Sequence, residues 1–557
     1  MRRRYLNRSV FAQLLPLAVG ALFTLAPLAA RGASTPGDTP PRLEDAAEPA
    51  AGLPAAGAQQ EQTFTIKRFV IEGSSLFAPR ELEGVVSPFV GRHKSSADVE
   101  GARDALERFF HDQGYPTVVV NIPEQAVQNK VIRLDIIENR VGSVTVTGNR
   151  WFSTEKILRE LPSIAPGQVI NLQQLQLEAN RLNRNPDFKL VPGMQPGKAP
   201  ESVDMSIKVT DERPLHGSLE LNNRSSHDTT DLRLSASLRY DNLWQREHSI
   251  SAQGQMSPQD PGEVLVASGS YTLPAPWDRD DKAVLYGVWS NSDTATAAGF
   301  TNLGKGIIVG TRVILPLRGV DDYSHTAVLG VDYKDFEETV GLAGSEQVKS
   351  PISYFPFSAA YSSSLRDGGG ATMFNAALNL SFRGAVADPR QFEDKRFKAR
   401  GNYLFLTAGV ERSQALPREF SLLLRLDGQW ADQPLISNEQ YVAGGAESVR
   451  GYHESEASGD KALHGVFELS APDLLRKGGR ERFSLAPYLF YEGAGLWVKD
   501  PLPGQERRQG LQGTGLGLRG RLFGSLEFQS DLGFALMDTG RTAAGDPYLH
   551  FKVKWQF

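Results

Sequence analysis

Residues 213–557 alternate apolar and polar side chains between clusters of turn residues, and this pattern restricts what the chain can fold into. Residues 231–240 (DLRLSASLRY), 419–430 (EFSLLLRLDGQW) and 524–534 (GSLEFQSDLGF) each place aliphatic or aromatic side chains on one face and charged or polar side chains on the other. A period of two residues is that of a β-strand. Stretches of about ten residues are long enough to cross a bilayer at the tilt of a barrel strand. The pattern therefore predicts a transmembrane antiparallel β-barrel.

The alternation is strictest at the end of the chain, in residues 549–557 (LHFKVKWQF), where Trp555 and Phe557 share the apolar face. This ending resembles the C-terminal signal of outer-membrane barrels, which the barrel-assembly machinery reads. The alternative is a strand of a soluble β-sandwich, which would rarely end on an aromatic residue after such alternation. Divided among about sixteen strands, residues 213–557 leave about 22 residues for each strand and its connection, and fourteen or eighteen strands fit nearly as well.

The composition excludes several classes of function. The 557 residues include no cysteine, which excludes a disulfide framework, thiolate metal sites and cysteine nucleophiles. The formal net charge of −5 argues against bulk nucleic-acid binding. The sequence lacks the G-x-S-x-G, H-E-x-x-H and Walker A patterns, and its nine histidines show no metal-ligand spacing. We therefore expect no enzyme activity, metal, cofactor or nucleic-acid partner. The mean hydropathy of −0.32 does not exclude a barrel, because barrel strands average polar and apolar residues.

The N-terminal region indicates export from the cytoplasm. Residues 1–30 combine a cluster of arginines, an apolar stretch and closing small residues, which is the pattern of a secretory signal peptide. The alternative is a membrane anchor, because the apolar stretch is long for a signal peptide. Residues 31–62 are rich in Pro, Ala, Gly and Glu and are predicted to form a linker. Within the linker, residues 41–48 (PRLEDAAE) suit a short helix that Pro49 would end.

Two similar modules, residues 63–138 and 139–212, follow the linker. Gly73 and Gly148 each end an alternating segment, and a phenylalanine follows each glycine after four residues. Two amphipathic helical segments and two further strands come next, which gives the order β-α-α-β-β twice, with residues 187–194 read as a short strand or turn. This order resembles the polypeptide-transport-associated (POTRA) domain, an α+β module with an open sheet edge. Such an edge can accept an extended peptide, and the alternative is a generic α+β module without a peptide partner.

A four-residue motif, Val449-Arg450-Gly451-Tyr452, follows a glycine-rich turn. It resembles the tip of the long loop that folds back into the barrel in the outer-membrane insertase and transporter superfamily. The resemblance implies a lumen loop around residues 440–462. Gly451 would permit a backbone turn that a Cβ would hinder, and Tyr452 could contact the inner wall. Without the resemblance, Arg450 would be interpreted as a residue of an ordinary solvated loop.

In that superfamily the loop arginine meets an acidic residue of a barrel strand, within a pattern like F-x-D-x-G. The matching residues here are Phe490 and Glu492, with Glu where Asp is usual and the glycine displaced by one position. Glu keeps the chemistry, because it also accepts a bidentate arginine. The resemblance therefore implies an Arg450–Glu492 pair that gives the loop one defined position. The G-x-G-x-G segment at residues 513–517 is interpreted as a glycine-rich strand beside a packed loop, because no helix follows it as a dinucleotide site requires.

Two POTRA-like modules before a barrel resemble the transporter subunit of two-partner secretion, the TpsB family of haemolysin and filamentous-adhesin secretion-activation proteins. The resemblance covers essentially the whole mature chain. It implies a location in the bacterial outer membrane, with the modules in the periplasm. Family members often carry an N-terminal helix that plugs the pore, for which residues 41–48 are the candidate here.

The resemblance also implies partners. The main partner would be a secreted exoprotein of haemolysin or adhesin type, with an N-terminal secretion domain, that pairs unfolded with the module edges and passes through the lumen without ATP. Outer-membrane lipid and the barrel-assembly machinery are further expected partners. Two alternative functions remain open: an assembly factor for outer-membrane proteins or lipids of the same superfamily, and a diffusion porin.

Overall fold

The computed structural model describes residues 63–557 except 126–128, 228, 279, 293–294, 298–299, 321, 341–347, 383–387, 389 and 476–482. The expected signal peptide (1–30) and the linker with its candidate plug helix (31–62) lie outside the described residues. The described chain divides between Pro214 and Leu215 into two compact units. Within the described part, no helix combines the length and apolar character needed to cross a membrane.

The N-terminal unit contains two modules that share the order β-α-α-β-β in their main sheets and helices, and the first module has two additional short strands, β1 and β3. The first consists of β1 (Phe64–Ile66), β2 (Arg68–Glu72), α1 (Pro79–Val86), β3 (Gly91–Lys94), α2 (Ser96–Asp112), β4 (Val118–Asn121) and β5 (Val131–Glu138). The second consists of β6 (Arg140–Thr147), α3 (Thr154–Arg159), α4 (Leu172–Leu182), β7 (Phe188–Pro196) and β8 (Ser202–Asp211). Each forms a three-stranded sheet, in the orders β2-β5-β4 and β6-β8-β7, with the first strand parallel to the closing strand and the third antiparallel to it.

The strands of the modules differ from the sequence prediction in two places. The first alternating segment is broken, because β1 pairs with β3 in a separate small sheet and only β2 joins the main one. The segment read as a short strand or turn is the nine-residue strand β7. The helices otherwise follow the expected spacing, since the apolar side chains of α2 at Val99, Ala102, Leu106 and Phe110 are buried in the core of the first module.

Two glycines occupy equivalent positions in the modules. Gly73 has φ +93° and Gly148 has φ +89°, the left-handed region that side chains other than glycine rarely adopt. A Cβ on Gly73 would lie 2.2 Å from the carbonyl oxygen of Ile136, and one on Gly148 would lie 2.2 Å from that of Val209. The chain can therefore turn this close to the closing strand only at glycine, which explains why the residue recurs.

A carboxylate at the end of each closing strand completes this turn. Glu138 accepts hydrogen bonds from the backbone N–H groups of Ser75 (2.6 Å) and Leu76 (3.1 Å). Asp211 accepts hydrogen bonds at 2.7–2.9 Å from the three consecutive backbone N–H groups of residues 150–152. Charge-assisted bonds of this kind are about twice as strong as neutral ones. The loop that follows β2 is thus fixed to the end of β5, and the loop that follows β6 is fixed to the end of β8.

The C-terminal unit is a closed antiparallel barrel. Its first half contains β9 (Leu215–Asn222), β10 (Arg233–Leu243), β11 (His248–Met256), β12 (Leu265–Pro274), β13 (Lys282–Ser290), β14 (Ala295–Ala297), β15 (Phe300–Leu303), β16 (Gly306–Pro316), β17 (Tyr323–Val340), β18 (Val348–Tyr354), β19 (Phe357–Asp367) and β20 (Gly370–Ser381). Its second half contains α5 (Arg390–Lys395), β21 (Tyr403–Ala415), β22 (Ser421–Ala431), β23 (Tyr441–Ala443), β24 (Ala457–Gly459), β25 (Lys461–Ser470), β26 (Ser484–Trp497), β27 (Arg508–Leu522), β28 (Leu526–Ala535) and β29 (Pro547–Gln556).

Within the described residues, the wall is a barrel of sixteen strands, as expected. Strands β18 and β19 both pair with β17, along its second and first halves, and so act as one interrupted strand. Two further pairs, β14 with β15 and β23 with β24, form small two-stranded sheets that are not part of the wall. The first strand, β9, pairs with β10 on one side and with the last strand, β29, on the other, which closes the ring.

The two faces of the wall invert the distribution of a soluble protein. Outward-facing apolar side chains such as Leu426 and Leu489 are about half exposed, whereas the charged side chains of Asp427, Glu492 and Asp531 face inward and are almost fully buried. An apolar outer band around a polar interior is the arrangement of outer-membrane barrels. One end of the barrel has mostly short connections, such as residues 244–247, and is here called the turn end. The two longest loops, residues 382–402 and 432–460, lie at the other, the loop end.

Candidate functional site in the barrel lumen

The motif residues lie in the lumen loop, which connects β22 to β25 at the loop end. In the structure this loop spans residues 432–460, so it begins earlier than the expected residue 440, and residues 461–462 belong to β25. Strands β23 and β24 form a short stem within this loop, with Tyr441 opposite Gly459. Val449 and Tyr452 are fully buried. Because the inward-facing side chains of the wall surround them, the loop is folded into the barrel interior.

Arg450 meets Glu492 of β26 at the inner wall. Its backbone N–H donates to Glu492 Oε2 at 2.7 Å, and its Nε donates to Oε1 at 2.9 Å. The Nη2 group donates to the same carboxylate. The guanidinium carbon lies 3.6 Å from the ring centroid of Phe490, two residues along the same inward face. The arginine is thus held by a forked hydrogen bond and by a cation–π contact, which together define its orientation as well as its distance.

Two further carboxylates, which the sequence reading did not identify as partners, converge on this arginine. Glu468 of β25 lies 3.4 Å from the guanidinium, and Asp531 of β28 lies 3.6 Å from it. Arg519 of β27 pairs with Glu468 as well. A buried charge is tolerated only when it is paired, and here three carboxylates face two guanidinium groups. The alternating pattern places Glu468 and Asp531 on the polar face of their strands, but it does not indicate how far along the barrel axis each residue lies.

The other motif residues hold the loop tip against the wall by its backbone. Gly451 has φ +103°, and a Cβ there would lie 2.8 Å from the backbone of Phe534 and Ala535. A Cβ on Gly513 would lie 2.0 Å from the carbonyl oxygen of Arg450. The glycine-rich strand therefore lies directly beside the loop, because side chains on the wall would keep the loop backbone away.

Polar contacts on both sides of the tip complete this arrangement. The Gly451 N–H donates to Nε2 of His550 at 3.2 Å, from β29. The Tyr452 hydroxyl donates to the carbonyl oxygen of Met537 at 2.8 Å and accepts from the Met537 N–H at 3.1 Å. Val449 contributes to a small apolar core with residues that include Leu496. The loop thus contacts strands on both sides of Glu492.

The aromatic residues at the chain end lie elsewhere, on the outer surface of the barrel. Trp555 and Phe557 are about half exposed, with ring centroids 5.0 Å apart. The Phe557 ring lies over Gly217 of β9, where a Cβ would approach it to 2.3 Å, and the two residues exchange backbone hydrogen bonds at 3.0 and 3.1 Å. These residues therefore belong to the seam between the first and last strands and not to the loop site.

Comparison with known families gives two matches. Residues 64–139 match the model described as POTRA domain, ShlB-type. Residues 351–520 match the model described as haemolysin secretion/activation protein ShlB/FhaC/HecB. The second match includes the lumen loop and the two residues of β26, Phe490 and Glu492, that contact Arg450.

Individual relatives are distant but extensive. The outer membrane transporter CdiB of Dickeya dadantii is 22% identical over 439 residues, which is 75% of this chain and 74% of the relative. The heme/hemopexin transporter protein HuxB of Haemophilus influenzae is 19% identical over 405 residues, which is 68% of this chain and 67% of the relative. Among solved structures, CdiB from Escherichia coli has a TM-score of 0.60 at 18% identity, covering 91% of this chain and 93% of that one. BamA from Haemophilus ducreyi lacking POTRA domains 1–3 has a TM-score of 0.54 at 14% identity, covering 89% and 100%.

Proposed function

We propose that this chain, which is similar to the outer membrane transporter CdiB and the heme/hemopexin transporter protein HuxB, acts in two-partner secretion. It binds its unfolded exoprotein at the free strand edges of the POTRA region and passes it through the barrel lumen without ATP. The resemblance expected from the sequence is confirmed by the two family models and these relatives. So is the location in the outer membrane with POTRA in the periplasm. The matched family model is one of haemolysin secretion/activation proteins, and the relatives are transporters, which supports secretion of a protein across the outer membrane.

The observation that carries the proposal is the distribution of free backbone groups on the module edges. The edge strand β4 is occupied by its own helix. His111 Nε2 lies 3.2 Å from the carbonyl oxygen of Val118, and the N–H of Val120 donates to Glu107 Oε2 at 3.3 Å. Because these side chains of α2 already use the outward groups of β4, an incoming strand would have to displace them.

The corresponding strand of the second module, β7, is blocked differently. The side chain of Asn183 accepts from the Leu190 N–H at 2.8 Å and donates to its carbonyl oxygen at 3.1 Å. Antiparallel pairing alternates direction along the strand, so residues 192 and 196 face outward like Leu190. Both are prolines and offer no N–H. Prolines on an edge strand are a common way to prevent further strand pairing.

The opposite edges, β2 and the end of β6, are free. The start of β6 is covered, because Val141 exchanges backbone hydrogen bonds of 2.8 Å with residues 167–168. Beyond it, no hydrogen bond within the described chain uses the outward backbone groups of residues 144–147 or of β2. An extended peptide can add to such an edge through main-chain hydrogen bonds that do not depend on its sequence. An unfolded exoprotein offers this kind of segment.

Deleting residues 63–212 tests the role of the modules. The variant is co-expressed with a candidate exoprotein whose secretion depends on the full-length chain, and secretion into the medium is measured. We expect secretion to be abolished while the barrel still migrates as a folded, heat-modifiable band. Unaltered secretion by the deletion variant would contradict the proposal. A general loss of other outer-membrane proteins in cells lacking the chain would favour the assembly-factor alternative.

Arg450→Ala tests the role of the lumen loop. Loss of the guanidinium leaves Glu492, Glu468 and Asp531 together without their central cation, so the loop tip should leave the wall. We expect secretion to fall and channel conductance in planar bilayers to change. Arg450→Lys keeps the charge but not the fork, and it should recover only part of the activity. Full secretion and unchanged conductance in Arg450→Ala would rule out this role.

Reconstitution tests the energy source. The purified chain is inserted into liposomes, and a urea-unfolded fragment of the exoprotein is added without nucleotide. Protection of the fragment from external protease is expected. Protection that appears only when ATP is added would contradict the proposal.

A further inference from the structure

A second buried carboxylate, Asp460, holds the root of the lumen loop at the loop end of the barrel. It immediately precedes β25 and is fully buried. Its Oδ1 accepts from the Leu435 N–H at 2.8 Å and from Gln440 Nε2 at 3.2 Å. Its Oδ2 accepts from Arg396 Nη2 at 2.8 Å and from the Lys499 N–H at 2.7 Å. One carboxylate therefore accepts four hydrogen bonds.

The four donors come from three different loops. Leu435 and Gln440 belong to the lumen loop, Arg396 belongs to the loop of residues 382–402, and Lys499 belongs to the loop of residues 498–507. A buried carboxylate that loses its donors keeps its desolvation cost, so the donors stabilise one another's positions. The three loops are coupled through one side chain, here called the Asp460 clasp.

Arg396 is the only charged donor among the four and the only one from the loop of residues 382–402. Its guanidinium also donates to the carbonyl oxygen of Lys499 at 3.1 Å, so it joins two loops by itself. Its side chain is 15% exposed, and that of Asp460 is 0% exposed. Because the pair is shielded from water, its attraction is screened far less than that of a surface pair.

An apolar layer beneath the clasp shows what these loops cover. Phe392 of α5 is buried, and its ring lies 5.4 Å from that of Tyr354 and 6.0 Å from that of Tyr403, both from the inner wall. Leu435 and Ile436 of the lumen loop are buried in the same cluster. The helix α5 and the root of the lumen loop thus cover the same apolar patch of the inner wall.

We infer that Asp460 is a positioning residue that keeps the loop end closed, and that the release of Arg396 is the step that opens it. The route of the cargo past this point rests on the proposed function, but the closure itself does not. The clasp differs from the contact of Arg450 with Glu492, since that contact fixes the tip of the loop whereas the clasp joins its root to two other loops.

Arg396→Gln tests the clasp, with Lys398→Gln as the matched control. Lys398 lies in the same loop and pairs at 2.9 Å with Asp500 of the same neighbouring loop, but both side chains are about half exposed. Each substitution removes one positive charge and one ion pair from the loop of residues 382–402. We expect Arg396→Gln to raise the open fraction of single channels in planar bilayers about tenfold, because it removes a buried charge-assisted bond. Lys398→Gln should leave that fraction unchanged. Equal open fractions in the two variants would overturn the inference.

A cross-link tests the same idea in the opposite direction and does not depend on the stability of Arg396→Gln. The chain has no cysteine, so Lys398→Cys with Asp500→Cys gives a pair that a reducible thiol cross-linker joins specifically. The cross-linked protein should lose secretion and show a lower open fraction, and reduction should restore both. Each single-cysteine variant treated with the reagent is the control.

Normal secretion by the cross-linked protein would overturn the inference. Absence of secretion in the unmodified protein would instead count against the proposed function, and the conductance contrast between Arg396→Gln and Lys398→Gln would still decide whether the clasp closes the channel.

Discussion

The two modules of the N-terminal unit are built alike at their centre and differently at their edges. At the centre, Gly73 and Gly148 make the same close turn, and Glu138 and Asp211 fasten it in the same way. At the edge, the first module occupies a four-residue strand with helix side chains, whereas the second closes a nine-residue strand with prolines and one asparagine. The backbone geometry of the turn requires a glycine, whereas an edge strand can be protected by several kinds of side chain.

The closing carboxylates also differ in reach. Glu138 receives a hydrogen bond at 3.0 Å from Arg140, the first residue of the second module's sheet. Arg140 also donates to the carbonyl oxygen of Gly167 at 3.1 Å. The first carboxylate therefore links the two modules, whereas the bonds described above for Asp211 lie within its own module.

The largest effect is expected from Gly73→Ala and Gly148→Ala. Each adds a Cβ that cannot avoid a backbone carbonyl oxygen and forces a left-handed φ, so each module should lose at least about 3 kcal/mol of opening free energy. Hydrogen–deuterium exchange of the full-length protein measures this for each module separately. Gly167→Ala is the control, because Gly167 has φ +86° but open space around its Cβ position, and about 1–2 kcal/mol is expected. If either Gly73→Ala or Gly148→Ala kept the exchange rates of the wild type while the other did not, the two modules would not be equivalent.

A smaller effect, about 2 kcal/mol, is expected from Glu138→Gln and Asp211→Asn, because each weakens charge-assisted bonds to backbone N–H groups. Faster amide exchange at Ser75 and Leu76, or at residues 150–152, is the measurement. Only Glu138→Gln should also loosen the second module, through Arg140. Asp135→Asn removes a partly exposed carboxylate that is paired with the exposed Arg133. It should leave exchange unchanged and serves as the control. If Asp211→Asn loosened the first module as much, the proposed difference in reach would be wrong.

The sequence predicted features that repeat at short range and missed those that depend on register. Alternation identified the barrel and its inward face, and the paired glycines identified the repeated modules. It could not place Glu468 and Asp531 beside Arg450, because a period of two gives the face of a strand but not its level along the barrel. That level is set by the offsets between several neighbouring strands. The strand number stayed open for a related reason, since loops of variable length absorb the residues that would distinguish fourteen from sixteen.

The clasp around Asp460 was hidden from the sequence for another reason. Two of its four donors are backbone N–H groups, which carry no sequence signal, and the four lie in loops far apart in the chain, so no local spacing identifies them. The break between β1 and β2 is similar, because β1 is drawn away by pairing with β3. In each case a tertiary contact decides what a local pattern leaves open.

The pairing of β22 with β25 has a mechanical consequence. These strands are neighbours in the wall, with Gln429 opposite Ala462, although the whole lumen loop lies between them in sequence. Withdrawal of the loop from the interior therefore breaks no hydrogen bond of the ladder. The hydrogen bonds that close the ring are therefore different from the contacts that hold the lumen loop inside it. The position of the loop and the number of strands in the ring are therefore independent of each other.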